Sequence, residues 1–436
     1  MEKLSHRKIE KYSSILFESL GCKLNKYEIE LMRSQAEEMG LTPMICQPGK
    51  PPIADVLVVN TCSVTSQASK DSRRKIRALR KHNPDSYLVV TGCYSETDVQ
   101  EVKELDVDLI LSNLEKESFF EKIRPEITDY DGKHQPESGI VKRVEFQSRP
   151  FLKIQDGCDA FCSYCIIPRA RGRSRSLAPE QVLNQVQQLA TNYPEIVLSG
   201  VNLGQYGIEL GTSLFELLKK IVQIEELRRV RISSLEPQDL SYELLDFIIE
   251  QPKICDHIHL PLQGAHDLLL PAMRRHYSLA HYGSLLERVK SKKPSFCLGA
   301  DVMVGFPGET DGIFEESLKI LEKFPLDYFH VFSYSKRDKT VASKLQNQVS
   351  EPIKKERNRQ LTELSNRKRQ HFLQSQLETT RQAAMERKSR IPGYIMGMTD
   401  NYIPIIVPTD NRDYGLSDLK VKISEINDSK VLAIAV

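Results

Sequence analysis

Strands and helices alternate in the first third of this chain. Short apolar runs predict strands and longer amphipathic runs predict helices. The predicted strands are Ser14 to Leu20, Val56 to Val59 and Tyr87 to Val90, and the predicted helices between them are Tyr27 to Met39 and Ser69 to Lys81. This order is typical of a parallel sheet covered by helices, a Rossmann-like α/β domain.

Each of the three predicted strands leads directly to a cysteine, namely Cys22, Cys62 and Cys93. Parallel strands present their carboxyl ends, where ligands bind, at one edge of the sheet. The sequence therefore predicts that three thiols, 40 and 31 residues apart along the chain, gather at a single site.

Composition limits the class of protein. With 40% apolar and 28% charged residues among 436, the chain is typical of a globular protein. No apolar stretch reaches the roughly 18 residues of a membrane span, and the first residues (MEKLSHRKIEKYSS) lack the apolar segment of a signal peptide. We therefore expect a cytoplasmic protein without a membrane partner. Reducing conditions there favour metal or reactive chemistry over disulfides for the nine cysteines.

A second strand–helix series follows a polar segment, Asp129 to Ser148, that is predicted to be a linker. Six strands separated by helices predict a full or partial βα barrel with its site at the carboxyl ends of the strands. The predicted strands are Phe151 to Gln155, Glu195 to Ser199, Arg229 to Ser233, His257 to Leu260, Cys297 to Val304 and Tyr328 to Phe332.

The last part of the chain begins with a charged helix predicted over Pro352 to Leu377. Alternating apolar residues then recur at Tyr402 to Val407, Leu419 to Ile423 and Val431 to Val436. This pattern predicts a small β-barrel of the kind often used for RNA.

Cys158, Cys162 and Cys165 form a C-x3-C-x2-C motif just after the first predicted barrel strand. Three merely buried thiols fit poorly with the polar, turn-like surroundings (KIQDGCDAFCSYCIIP). A zinc site usually needs four ligands, and no nearby Cys or His supplies the fourth. Three thiolates suit a [4Fe–4S] cluster whose fourth iron stays open for a chelating ligand such as S-adenosylmethionine.

This motif on a βα barrel strongly resembles the radical S-adenosylmethionine enzymes. The segments FESLGCKLNKYEIE, VVNTCSVTSQASKDSRRKIR and VVTGCYSE resemble the three N-terminal cysteine segments of the methylthiotransferase family. DVMVGFPGET and MRRHY resemble its barrel motifs, and MTDNYIPIIV resembles its terminal TRAM domain. The resemblance covers nearly the whole chain.

The resemblance implies a domain order and two clusters. Residues 11–128 would form the domain in which Cys22, Cys62 and Cys93 hold an auxiliary [4Fe–4S] cluster. Residues 129–148 would be the linker, 149–350 the radical core, 351–377 the basic helix and 378–436 the TRAM RNA-binding domain. One S-adenosylmethionine would methylate the sulfur. A second would be cleaved to the radical that activates the substrate carbon, with electrons from a donor such as flavodoxin or ferredoxin.

GCKLNKYEIE together with KIQDGCDAFCSYCIIPRARGRSRS most resembles the family branch that converts N6-threonylcarbamoyladenosine, beside the tRNA anticodon, into its 2-methylthio derivative. The alternatives are isopentenyladenosine in tRNA and an aspartate of a ribosomal protein. A non-enzymatic RNA-binding protein with structural zinc is the alternative from another class. The sulfur donor is not indicated.

Further residues outside the two triads are candidates for contacts with S-adenosylmethionine or RNA. Gly200, Asn202, Glu236 and Gln263 stand at ends of predicted barrel strands and are candidate S-adenosylmethionine contacts. Arg169, Arg171, Arg173 and Arg175 follow the cysteine loop and are either a solvated run or contacts to tRNA phosphates. The loops at Gly264-Ala265-His266 and Asp338-Lys339 depart from the family's usual residues.

Overall fold

The computed structural model describes residues 12–38, 40–46, 51–123, 144, 148–386, 391–409, 414–427 and 430–436. The predicted linker lies almost wholly outside these residues, and so does most of the N-terminal segment MEKLSHRKIEKYSS. The chain divides into two compact units. The first comprises Met1–Val144, Gly157–Asp159 and Cys165–Arg173, and the second comprises Glu145–Asp156, Ala160–Tyr164 and Ser174–Val436.

A five-stranded parallel sheet of order β2-β1-β3-β4-β5 is the frame of the first unit. Its strands are β1 (Ser14–Ser19), β2 (Thr42–Ile45), β3 (Val56–Thr61), β4 (Tyr87–Gly92) and β5 (Leu109–Ile110). Its helices are α1 (Lys23–Glu38), α2 (Ser66–His82), α3 (Cys93–Thr97), α4 (Val99–Lys103), α5 (Phe119–Ile123) and α6 (Ile167–Arg171). The predicted parallel sheet is confirmed, and the two strands that the sequence did not predict are short and lie at its edges.

Both faces of this sheet are buried. Val56 and Val58 of β3 pack in one apolar cluster with Ile29 of α1. Leu57 and Val59 of the same strand pack in a second apolar cluster with Ile76 of α2. A strand covered on both faces needs apolar residues at every position, which explains the continuous run VLVV in β3.

Six parallel strands form the barrel of the second unit. They pair in the orders β10-β9-β6 and β11-β12-β13, and a bridge between Ser234 and His259 links the two sets. The strands are β6 (Phe151–Lys153), β9 (Glu195–Ser199), β10 (Arg229–Ile232), β11 (His257–His259), β12 (Cys297–Val304) and β13 (Tyr328–Ser333). A short antiparallel pair, β7 (Gln155–Asp156) and β8 (Arg175–Ser176), interrupts the series after β6. The predicted partial barrel is confirmed.

Helices separate the barrel strands as expected for βα units. They are α7 (Pro179–Ala190), α8 (Leu214–Ile221), α9 (Tyr242–Glu250), α10 (Leu269–Ala272), α11 (Leu279–Lys292) and α12 (Asp311–Lys323). Ser213, Ser241 and Ser278 each accept a hydrogen bond from a backbone N–H in the first turn of the following helix. Such caps fix where a helix begins.

The last part of the second unit is the long helix α13 (Glu351–Ser375) and a closed five-stranded barrel of order β14-β15-β16-β18-β17. Its strands are β14 (Thr380–Met385), β15 (Tyr394–Thr399), β16 (Pro404–Pro408), β17 (Asp418–Asn427) and β18 (Lys430–Ala435). Alternate residues of β15 are buried, and Phe372 and Leu373 of α13 join the same core. This barrel is consistent with the expected TRAM-type domain.

A buried ion group connects the small barrel of β14 to β18 with strands β9 and β10 of the large barrel. Glu195 is fully buried, and Arg231 contacts both of its carboxylate oxygens at 2.7 and 3.0 Å. The same guanidinium donates to the backbone oxygens of Thr399 and Asp400 at 2.9 and 3.2 Å. Burial would raise the pKa of Glu195, but Arg231 and neighbouring arginines lower it to about 2. Glu195 is therefore ionised at neutral pH.

Within the described residues, no helix is both long enough and apolar enough to cross a lipid bilayer.

Candidate functional site: two cysteine triads beside buried charges

The structure brings the three N-terminal cysteines together. Cys22 follows β1 across Gly21, Cys62 follows β3, and Cys93 opens α3 at the end of β4. A Cβ atom on Gly21 would lie 2.6 Å from the sulfur of Cys62, so the two strand ends pass closely. Cys62 and Cys93 are buried, whereas Cys22 is exposed. One thiol at the surface and two below it are the arrangement of a site that opens to solvent.

Burial makes two of these thiols less acidic. Burial, together with the neighbouring Cys93 and Cys22, raises the pKa of Cys62 to about 11, while a backbone hydrogen bond from Val64 and the charge of Arg171 oppose the rise. Burial also raises the pKa of Cys93. The thiols of Cys62 and Cys93 are therefore protonated at neutral pH in the absence of metal, and iron would have to displace their protons on binding.

A buried ion group lies beside this triad. Glu28 of α1 accepts from Arg171 at 2.9 Å and from Lys116 at 2.5 Å, and Asn60 donates to it at 2.9 Å. Arg171 also donates to the side chain of Asn25 at 2.6 Å, which in turn accepts from the sulfur of Cys22 at 3.7 Å. This network connects the end of α6 to the first cysteine.

Arg171, one of the four expected RNA contacts, lies in the interior. Its side chain is 1% exposed and its guanidinium is engaged inside the first unit, so it does not reach a phosphate at the surface. Arg169 and Arg173 are exposed, and Arg173 forms an ion pair with Asp159. Arg175 is partly exposed and pairs with Asp156 at 3.0 Å. The four arginines thus divide into one internal residue and three at the surface.

Cys158 and Cys165 of the C-x3-C-x2-C motif belong to the first unit. The backbone N–H of Cys158 donates to Gly172 at 3.2 Å, and the sulfur of Cys165 accepts from the backbone N–H of Ile167 at 3.4 Å. Gly157 has a φ of +70°, and a Cβ there would lie 1.9 Å from the carbonyl oxygen of Arg173. Only glycine therefore fits before Cys158.

Cys162 belongs to the second unit, where Arg275 lies 3.8 Å from its sulfur. Arg275 is almost fully buried and forms an ion pair with Glu236. Burial raises the pKa of Glu236, and the charge of Arg275 opposes that rise. Arg275 belongs to the segment MRRHY, whose resemblance to a family motif did not predict the contact between Arg275 and Cys162. Two adjacent arginines, Arg274 and Arg275, follow α10 and are the only sequence signal for this contact.

The remaining candidates lie at the carboxyl ends of barrel strands, as expected. Asn202 is 2% exposed, accepts from Gly204 at 3.1 Å and donates to Asp239 at 2.8 Å. Gly200 follows β9, and a Cβ there would lie 2.8 Å from the side-chain oxygen of Gln155. Gln263 follows β11 with a φ of +64°. These positions share one end of the barrel with Glu236, and their contact with S-adenosylmethionine stays a prediction.

The turn after β12 (GFPGE) is held by α13. Glu309 accepts from the backbone N–H of Gly305 at 2.8 Å and from Arg357 at 2.6 Å. Of the two atypical loops, the first places His266 beside Glu316 at 3.0 Å, and in the second Asp338 accepts from Ser343 through its backbone oxygen at 3.3 Å. Neither contact involves a cysteine of the triads.

Within the described ranges, no group of three or more His, Cys, Asp and Glu side chains that could hold a single metal ion is found. In a four-iron cluster each thiolate binds a different iron, so its ligands surround a larger space than the ligands of one ion. The donor sets nevertheless fit such clusters, because thiolates are the usual ligands and a buried arginine interacts with a cysteine of each triad.

Two family models match this chain. Residues 152–321 match the Radical SAM superfamily, and residues 14–112 match Uncharacterized protein family UPF0004. The threonylcarbamoyladenosine tRNA methylthiotransferase MtaB of Aquifex aeolicus is 35% identical over 90% of this chain and 96% of its own length. The MtaB of Bacillus subtilis is 34% identical over 90% of both chains. This chain belongs to the methylthiotransferase family of radical S-adenosylmethionine enzymes.

Other relatives carry a different substrate in their name. The tRNA-2-methylthio-N(6)-dimethylallyladenosine synthase of Clostridioides difficile is 34% identical over 83% of this chain and 80% of its own. Among solved structures, the radical S-adenosylmethionine methyltransferase TsrM of Kitasatospora setae, with cobalamin and a [4Fe-4S] cluster bound, has a TM-score of 0.59 at 13% identity and covers 76% of this chain and 77% of its own. That likeness shows the fold alone.

Membership of the radical S-adenosylmethionine superfamily implies one [4Fe–4S] cluster and S-adenosylmethionine for this methylthiotransferase. The C-x3-C-x2-C motif lies inside the matched range.

Proposed function

We propose that this methylthiotransferase converts N6-threonylcarbamoyladenosine at position 37 of tRNA, adjacent to the anticodon, into 2-methylthio-N6-threonylcarbamoyladenosine. The observation that carries the proposal is the gathering of Cys22, Cys62 and Cys93 at the ends of β1, β3 and β4. A methylthiotransferase needs a sulfur site in addition to its radical site, and this triad is the second thiol-rich site of the chain. Relatives that share the threonylcarbamoyladenosine name support the choice of substrate.

Each triad would hold one cluster in this proposal. Cys158, Cys162 and Cys165 would hold the radical cluster, and Cys22, Cys62 and Cys93 the auxiliary one. When bound, these groups supply one-electron cleavage of S-adenosylmethionine and a site at which sulfur is held for transfer to the substrate carbon. The protein's own part is to bind, orient and shield the reacting molecules.

The carboxyl ends of the barrel strands would receive S-adenosylmethionine. Gly200 lies at this rim after β9, where its missing side chain makes room for Gln155 and Leu203. Glu236, which is paired with Arg275, would offer a carboxylate oxygen to the methionyl amino group. Asn202 acts mainly by shaping its own turn, because both its acceptor and its donor are engaged there. Gln263, at the end of β11, completes this rim in the proposal.

Binding of tRNA would rest on the terminal barrel, on α13 and on the exposed arginines. Besides the buried Lys354 and Arg357, the helix α13 carries five Lys and Arg against three Glu, and such an excess attracts phosphates. Arg169, Arg173 and Arg175 would add contacts that position the anticodon stem-loop without reading its sequence. The further partners are an electron donor of the flavodoxin or ferredoxin type and a sulfur donor, in the cytoplasm.

Dimethylallyladenosine in tRNA is the second candidate substrate, because a relative of similar identity carries that name. The two are separated by mass spectrometry of tRNA nucleosides from cells with and without the gene. Loss of 2-methylthio-N6-threonylcarbamoyladenosine, with accumulation of its precursor, is the expected result. Loss of the methylthio group from dimethylallyladenosine (also called isopentenyladenosine) would refute the proposed substrate but not the membership of the family. If both nucleosides are unchanged, neither is the substrate, and the aspartate of the ribosomal protein is tested next.

A further inference from the structure

A cavity of about 580 Å³ lies in the second unit among β13, α13 and the turn that joins β15 to β16. Its size is within the range of ligand sites in proteins. It is lined by Tyr328 and Phe329, the first residues of β13, and by Tyr402, whose ring stacks on that of His257 at the start of β11. The cavity therefore reaches the amino ends of the barrel strands, whereas the reacting groups belong at their carboxyl ends.

Two exposed aromatic side chains of β13, His330 and Phe332, line this cavity. They are two residues apart on one strand, so they lie on the same face and their positions are separated by about 6.6 Å. A base in a nucleic-acid stack occupies about 3.4 Å, half of that separation. The spacing therefore suits the insertion of one planar ring between the two side chains.

The aromatic ring of Tyr402 is held in place at the wall of the cavity. It stacks on His257 with ring centroids 4.1 Å apart, and the backbone oxygen of Tyr402 accepts from Arg369 at 2.8 Å. Its φ of +66° is a left-handed conformation that residues other than glycine seldom adopt, and these contacts maintain it. This part of the wall is thus in place before a ligand arrives, which lowers the entropy lost on binding.

The helix α13 supplies the polar wall of the cavity. Thr362, Asn366 and Arg369 line it from successive turns of one helix face. The guanidinium of Arg369 lies 5.4 Å from the centre of the Tyr328 ring, and Asn366 is exposed and has an amide that both donates and accepts hydrogen bonds, as the edge of a base requires. Arg367 follows directly, is exposed and forms no ion pair with another described residue, so it adds a cation that attracts phosphate.

We propose that this cavity binds one unpaired base of the tRNA, other than the base that is modified, and that the ring of Phe332 stacks on it. The inference rests on the proposed function for the presence of the anticodon stem-loop. Aromatic faces combined with an amide and a guanidinium are the usual means by which proteins hold unstacked RNA bases, and the anticodon loop offers such bases. The cavity thus contacts a base, whereas the exposed arginines contact only the backbone.

The test measures binding of an anticodon stem-loop RNA that contains N6-threonylcarbamoyladenosine to the reconstituted full-length protein. No reductant is added, so that the RNA is not converted, and Kd is determined by fluorescence anisotropy at several salt concentrations. Phe332→Ala is expected to raise Kd about tenfold, because stacking on an aromatic side chain contributes roughly 5- to 100-fold per base. The slope of log Kd against log salt should stay as in the wild type, because no phosphate contact is lost.

Further variants separate stacking from packing and from charge. Phe332→Trp keeps an aromatic ring and should bind like the wild type, whereas Phe332→Leu keeps only an apolar side chain and should bind like Phe332→Ala. Tyr242→Ala removes a side chain that is 45% exposed, as Phe332 is, from α9 outside the cavity, and should leave Kd unchanged. Arg367→Gln should lower the salt slope by about one. Thermal unfolding identifies variants whose fold is disturbed.

The bound base is identified with 2-aminopurine, a fluorescent base placed in turn at each loop position except 37. A fluorescence change on binding that occurs with the wild type and is lost in Phe332→Ala, at one of these positions, supports the proposal. It is overturned if no such position depends on Phe332, or if Phe332→Ala binds as tightly as Tyr242→Ala. If the wild type itself binds no such stem-loop, the proposed function fails together with the inference, which is a distinguishable result.

Discussion

Changing Glu195 to glutamine should destabilise the second unit strongly. Its carboxylate is fully buried between β9 and β10 and binds both Arg231 and Arg149, at 2.7 and 3.2 Å. Glutamine has nearly the same shape but no charge, so the substitution leaves the buried arginines without their anion. Removing one partner of a buried ion pair leaves an uncompensated charge, which is the costly case.

The size of the effect follows from the pKa of Glu195, which its surroundings lower from 4.5 to about 2. That difference corresponds to about 3 kcal/mol of preference for the ionised form in the folded state, close to the 3–5 kcal/mol typical of a broken buried pair. For a unit of this size we expect a melting temperature lower by roughly 6 °C or more. The assay is thermal unfolding of the apoprotein, with the exposed Glu225→Gln as the matched control.

The contribution of Glu195 to stability depends on pH in a direction that its lowered pKa determines. Because the pKa of Glu195 is lower in the folded protein, its contribution is fully present above about pH 4.5 and is lost as the pH falls from there towards 2. The difference in melting temperature between wild type and Glu195→Gln should therefore be constant around neutral pH and shrink in acid. Equal melting temperatures for Glu195→Gln and Glu225→Gln at neutral pH would refute the assignment of this ion group.

Two further substitutions test how the loops of the site are held. Gly157→Ala places a Cβ 1.9 Å from the carbonyl oxygen of Arg173 and should lower the iron content of the purified protein, whereas Gly211→Ala, with a similar positive φ but open space around it, should leave it unchanged. Arg357→Met leaves the buried carboxylate of Glu309 without its cation. We expect the free energy of unfolding to fall by about 3 kcal/mol. Arg359 lies on the exposed face of the same helix, α13, and Arg359→Met should leave the melting temperature unchanged. An equal loss of stability in Arg357→Met and Arg359→Met would contradict the argument from burial.

The sequence predicted the elements that have strong periodic signals. β12 was predicted with the bounds that the structure has, because most of its eight residues are apolar and the turn residues Gly305 to Gly308 follow it. β2 and β5 were missed, since two to four residues at a sheet edge carry too little pattern. β15 was missed because Gly397 and polar flanking residues weaken the alternation of its buried positions.

The gathering of the N-terminal cysteines could be predicted because topology alone brings the ends of parallel strands together. The internal position of Arg171 could not be predicted, because its partners Glu28 and Asn25 are more than 140 residues away in the sequence. A run of arginines favours a solvated surface, and only the packing of α6 shows that one of them is internal. Arg275 was missed for the same reason, since its contact with Cys162 joins distant loops.

The central claim is that the two triads have separate roles in one methylthiotransferase. It is tested by incubating reconstituted wild type, Cys62→Ala and Cys158→Ala with S-adenosylmethionine, a reductant and tRNA that contains N6-threonylcarbamoyladenosine. Cleaved S-adenosylmethionine and methylthiolated nucleoside are then measured in the same sample. Wild type should give both, Cys62→Ala only the cleavage, and Cys158→Ala neither. Methylthiolated product from Cys62→Ala at the wild-type rate would contradict the account.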